Sequence, residues 1–253
     1  MGALTTAGIV FAATAGAGLA GLMLGQRLPG HHLDADSRDA VRLVAGFVAA
    51  LAALVLGLLV ASAKANYDEH SGQLHRIAAD VVALDRALAR YGEGAREARA
   101  ILQSALVDEF DRLSTGNRLR GTGLETPVQD VRLLGFHDRL QALAPQTMGQ
   151  WAARDRAAQL AENIAATRVL MTQDLGGSIP SPFLLVLGFW LAAMFTTFGL
   201  FARANATVVA VLLAGAMSVA GAMFLILELD RPLDGMMRLS TEPLRHAVET
   251  VGR

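Results

Sequence analysis

Residues Val41–Ala63 read VRLVAGFVAALAALVLGLLVASA. Arg42 is the only charge in the run, and Lys64 follows it directly. At about 1.5 Å of rise per residue, a helix of this length covers roughly 34 Å, enough to cross a hydrocarbon core of about 30 Å with some tilt. A soluble core can hold one such helix. Three more runs share the character, roughly Thr5–Gly25, Pro182–Phe201 and Thr207–Leu227. Together they specify an all-α membrane protein with four transmembrane helices.

Charge is scarce and localised. The 253 residues are 53% hydrophobic and only 18% charged, below the roughly 25% of a soluble domain. Nearly all the charge lies in Ala65–Gly177 and in short tails and loops. The expected organisation is transmembrane helices 1 and 2 in residues 1–64, a helical extramembrane insert in 65–177, helices 3 and 4 in 178–230, and an amphipathic tail in 231–253. The net charge of -1 gives no reason to expect a nucleic-acid partner. The absence of cysteine excludes disulfides, thiol nucleophiles and cysteine-ligated metals.

Small residues recur at spacing four within the spans, a pattern that lets another backbone approach closely. In the first span they are Ala17, Gly21 and Gly25, in the second Ala49, Ala53, Gly57 and Ala61, and in the fourth Ala210, Ala214, Ser218 and Ala222. The second-span ridge suits either close helix packing or the lining of a narrow pore. The third span is the aromatic one, with Phe189, Trp190, Phe195, Phe198 and Phe201 placed toward lipid or core. No positively charged region precedes the first apolar run, so it reads as a retained span rather than a signal peptide.

The insert reads as helices. Leu74, Ile77, Val81, Leu84, Leu88 and Tyr91 form an apolar stripe in steps of three and four. This helix can continue straight out of the second span through Lys64, and Gly92 and Gly94 end it. A second helix covers about Ala95–Ser114. Thr115–Thr126 is an irregular loop, and a third helix starts at Thr126-Pro127 and breaks at Pro145. The last helix carries Trp151, Leu160, Ile164, Met171 and Leu175. The tail has two readings, a helix lying in the membrane interface or one docked on the insert.

Catalytic and metal-binding signatures are missing. The chain has no P-loop, GxGxxG, HExxH, GxSxG or EF-hand pattern, and no nucleophile–base pair in or beside the spans. His31 and His32, with Asp34 and Asp36, read as a solvated link, and His70, His75 and His137 lack ligand spacing. The expectation is a non-enzyme with no cofactor and no metal. The densest polar chemistry is at the membrane edge, where FLILELDRPLDG (224–235) brings Glu228, Asp230 and Arg231 to the end of the fourth span. Lys64 leaves the second span at the same face, which makes a Lys64–Glu228 or Arg231–Glu228 contact plausible. No charge lies in the middle of any span, which weighs against a proton pump or a midplane transporter and leaves a dewetting-gated channel open.

An even number of spans puts the insert and both termini on one side. That side carries Lys64, Arg76, Arg168, Arg231, Arg238 and Arg245 near span ends, against Arg27, Arg38, Arg42 and Arg203 on the other. The positive-inside rule then favours a cytoplasmic insert.

The runs AALVLGLLVASAKANYDEH (52–70), LHRIAADVVALDRALARYG (74–92) and FGLFARANATVVAVLLAGAMSVAGAMFLILELDRPLDGMMRLS (198–240) resemble the bestrophin-like family of bacterial membrane proteins, a group without an assigned activity. The more distant true bestrophins are pentameric, calcium-gated anion channels. The resemblance therefore implies a bacterial inner-membrane location and a homo-oligomer, with five subunits as the reference number. It also implies an axial pore lined by the second span. Two departures limit it. The bestrophin neck is aromatic, whereas this second span offers only Phe47, and no acidic cluster matches a calcium clasp. Calcium gating is not carried over, and the transported ion is unassigned. Two functions stand side by side, an oligomeric ion channel and a non-conducting membrane scaffold or sensor whose insert binds a partner. Membrane lipid is a partner under both.

Overall fold

Helices form over the apolar runs and stop where the sequence gives a physical reason. The computed structural model describes residues 2–28, 35–115, 135–173, 179, 181–230, 237 and 239–252. Every regular element among them is helical: α1 (Ala3–Arg27), α2 (Ala35–Tyr91), a 3-10 turn (Glu93–Ala95), α3 (Arg96–Thr115), α4 (135–141), α5 (Met148–Gln173), α6 (Ser181–Leu200), α7 (Ala206–Leu229) and α8 (Glu242–Thr250). The four expected spans fall on α1, α2, α6 and α7, the helices long and apolar enough to cross a membrane.

The boundaries follow local chemistry. The second span and the insert stripe are one unbroken helix, α2, and Gly92 ends it at a φ of 99° that other residues rarely adopt. Asn205 caps α7, its side-chain oxygen accepting the Val208 N–H at 2.8 Å. Pro182 sits in the first turn of α6, where a missing N–H costs nothing. The Thr115–Thr126 loop, the Thr126-Pro127 helix start, His31, His32 and Leu175 lie outside the described residues.

The chain divides into two units. One comprises Met1–Tyr67 and Gly177–Arg238, the other Asp68–Gly176 and Leu239–Arg253. The membrane unit has two apolar clusters. One joins Ala52, Leu59 and Ala63 of α2 to Leu187 and Leu191 of α6 and to Met223 and Ile226 of α7. The other joins Ala15 and Leu22 of α1, Phe195 of α6, and Leu212 and Ala216 of α7. Among the described residues, none from α2 contributes to this second cluster; α2 is held along its Ala52–Ala63 half and little covered before it.

Glycine sets the closest approach in this unit. A Cβ on Gly21 would stand 2.2 Å from the Thr196 carbonyl oxygen, and one on Gly25 2.3 Å from that of Leu200. A Cβ on Gly199 would stand 2.1 Å from the Gly18 oxygen. α1 and α6 therefore pack backbone against backbone, as small-residue spacing permits. The fourth-span ridge behaves differently. Ala210, Ala214 and Ser218 are exposed, and α7 buries Leu212, Ala216, Ala220, Met223 and Ile226 instead. Ser218 donates to the Ala214 carbonyl within its own helix.

The second unit is built on the predicted stripe. Leu74, Val81, Leu84, Leu88 and Tyr91 of α2 are buried, as are Leu106 of α3 and Leu160, Ile164 and Met171 of α5. Trp151 of α5 is 53% exposed in the first turn of that helix, with the Arg154 guanidinium 5.7 Å from its ring centroid. Asp85 is buried within the stripe and takes two hydrogen bonds from Arg99 of α3, at 2.8 and 2.9 Å. The bond to Asp85 raises the Arg99 guanidinium above its ordinary value, against an opposing effect of burial. Gly252 donates its N–H to the same carboxylate at 3.3 Å, and Leu244, Ala247 and Val251 are buried. The tail helix α8 is thus docked within this unit.

Candidate functional site: the second span and its polar ends

The second span has the least covered surface of the four. Only 11% of its most apolar 18-residue window is buried, against 22–33% for the others. It buries the face of Ala52, Leu59 and Ala63. The predicted ridge lies mostly off that face, because steps of 100° per residue carry Gly57 roughly 140° round the helix from Ala52. Ala49 is half-buried, and Ala53, Gly57 and Ala61 are exposed. A Cβ on Gly57 would meet nothing within 4 Å. Phe47, the one aromatic residue of the span, is 67% exposed. The chain's own fold makes no use of most of the ridge, whereas it uses Gly21 and Gly25 of α1 and Gly199 of α6 for close backbone contact.

At the end of the span nearer the insert, α2 meets the end of α7. The Asn66 side-chain amide donates to the Asp230 carbonyl at 3.3 Å. Lys64 is exposed, with its ammonium 5.7 Å from the Tyr67 ring centroid. Glu228 is buried, and its carboxylate accepts the Met237 N–H at 3.2 Å. Asp230 is buried at the C-cap of α7. A carboxylate at a membrane edge is costly unless hydrogen-bonded, and the Met237 N–H supplies one such bond to Glu228. The structure brings Lys64, Asn66, Glu228 and Asp230 to one end of the membrane unit, while Arg231 lies outside the described residues.

The opposite end holds a cavity of about 300 Å³. Arg42, Ala45, Gly46 and Ala49 line it from α2, and Thr197 and Phe198 at the end of α6, with Phe201 just beyond it, line the other side. It lies along α2 before Ala52, the first α2 residue of the first apolar cluster. Arg42 has a loose ion pair with Asp39 at 3.7 Å, both side chains being well exposed. Among the described residues, no group of three or more His, Asp or Glu side chains is arranged to hold a metal.

The Bestrophin-like domain family matches residues 12–244. This chain belongs to the bestrophin-like family. The matched range takes in most of α1, the other three spans, the insert and the start of α8. No curated protein and no solved structure gives a match. This bestrophin-like protein is therefore a membrane protein of that family, with two spans before and two after a helical insert in the chain.

Sequence reading missed three features of the bestrophin-like chain. Gly199 shares the α1–α6 contact, but in its own run it stands alone, without the repeat that marks Gly21 and Gly25. The Asp85–Arg99 pair joins two helices whose relative rotation no periodicity fixes. The cavity beside Arg42 depends on how α2 and the end of α6 are placed, which periodicity does not fix, although the i, i+4 spacing of Arg38 and Arg42 at the span's start was a visible signal.

Proposed function

We propose that this bestrophin-like protein is a homo-oligomeric ion channel of the bacterial inner membrane. In this reading the second span lines the pore, and the insert and termini face the cytoplasm. The observation that carries it is the outward ridge of Ala53, Gly57 and Ala61 on the least covered span. An apolar face of small side chains, with no charge among them, suits a narrow lumen gated by dewetting. Lys64, Glu228 and Asp230 then lie near its cytoplasmic mouth. The family likeness makes five the reference subunit number.

The same ridge fits dry helix packing between subunits, which favours a second reading, a non-conducting scaffold or sensor whose insert binds a partner. Neither reading requires an enzyme, a cofactor or a metal. Chloride and potassium flux into liposomes containing the purified protein separates the two. The channel reading predicts flux that stops when Gly57 is replaced by Trp while the oligomer persists. An intact ring with no flux for either ion supports the scaffold.

A further inference from the structure

The cavity at the outer end of α2 has the polarity of a lipid site. Its walls are small or aromatic, with Gly46 and Ala49 on one side and Phe198 on the other. Its one hydroxyl, on Thr197, already donates to the Ala193 carbonyl at 2.9 Å. The charge at the cavity is Arg42, which stands at the start of a 23-residue span and hence at headgroup depth. Arg38, half-buried and just beyond the residues that line the cavity, lies one turn earlier on the same helix face. Its Nε is buried and has no hydrogen-bond partner among the described residues. A buried guanidinium N–H without an acceptor is costly, so an anion there would relieve it. Asp39 offsets Arg42 only in part, at 3.7 Å and in solvent.

We propose that this groove binds one anionic glycerophospholipid, its phosphate held by Arg38 and Arg42 and part of an acyl chain lying over Gly46 and Ala49 against Phe198. The occupant follows from charge complementarity at the mouth combined with an apolar floor. A free anion has no use for the floor, and a zwitterionic lipid gains less from two arginines. A lipid here would fill the space between Arg42–Ala49 of α2 and the end of α6, and so fix the tilt of the proposed pore helix.

The test uses the full-length protein in nanodiscs of phosphatidylcholine and phosphatidylglycerol in equal parts. Native mass spectrometry of the released protein counts retained lipids. The expected result is preferential retention of phosphatidylglycerol, falling about fivefold in Arg42→Gln, the loss of one arginine near an anionic headgroup. Ala49→Leu keeps both arginines but fills the floor, and should lower retention of both lipids. Wild-type protein is also labelled with phosphatidylglycerol bearing a photoreactive acyl chain, and adducts are expected in residues 42–49 and 197–202. Equal retention of the two lipids by the wild type would overturn the proposal. So would adducts elsewhere, or displacement of phosphatidylglycerol by inorganic phosphate at equal concentration. The wild-type adduct map decides the matter even where a variant fails to fold.

Discussion

Replacing Gly199 by Ala should pry α1 from α6. The new Cβ would stand 2.1 Å from the Gly18 carbonyl oxygen and 2.8 Å from the Leu22 nitrogen. Both obstacles are backbone, so no side chain can swing away. The helices must part by roughly 1 Å, and a gap of that size forfeits a quarter to a half of the dispersion energy at each contact it opens. Overpacking of this kind costs about 1–3 kcal/mol. Ala also gains up to about 1 kcal/mol of helix propensity over Gly, which masks part of the loss. Gly57→Ala supplies the correction, because its Cβ would meet nothing within 4 Å and it makes the same propensity gain. The assay is SDS unfolding in mixed micelles, followed by Trp190 fluorescence in a Trp151→Phe background. Gly199→Ala should be less stable than Gly57→Ala by about 1–3 kcal/mol. Equal stability of the two variants would refute the backbone-contact argument.

Asp85→Ala leaves Arg99 and the Gly252 N–H without their acceptor, and should cost about 3 kcal/mol, the low end for a broken buried pair because Arg99 is partly exposed. Faster hydrogen exchange over residues 239–252 is the readout, and unchanged exchange would contradict the docked tail. Because the Arg99 value is raised, its contribution is complete below its unfolded value and is lost only as pH rises through the higher folded one. Raising pH from 7 to 10 should therefore leave tail protection unaltered once exchange rates are corrected for pH. Asn205→Ala removes the cap of α7 and should cost about 1 kcal/mol, seen as fraying of its first turn by hydrogen exchange; exchange there no faster than in the wild type would refute it.

Element type and order were legible because membrane spans and insert helices announce themselves by length and by period. The step from Ala63 through Lys64 into the stripe shows no breaker, and α2 runs through it unbroken. The Gly21 and Gly25 pattern carried its contact, since glycine is costly in a helix unless something comes close. Ala210, Ala214 and Ser218 of the fourth-span ridge stay exposed within the chain. Alanine is the best helix former, so spaced alanines arise without any partner. Of the candidate site, the small ridge and the polar end at Lys64, Glu228 and Asp230 could be read directly. Which way the ridge faces could not, because an apolar helix presents no polar side to mark its exposed face.

The central claim is that the second-span ridge faces water in an assembled pore. The chain has no cysteine of its own, so single cysteines at Ala53, Gly57 and Ala61 can be compared with cysteines at the buried Ala52 and Leu59. Chloride and potassium flux into liposomes is measured before and after a membrane-impermeant thiosulfonate. The account predicts that the ridge thiols react and flux falls, while those at Ala52 and Leu59 stay unmodified. Ridge thiols that do not react, in protein that conducts neither ion, would contradict it.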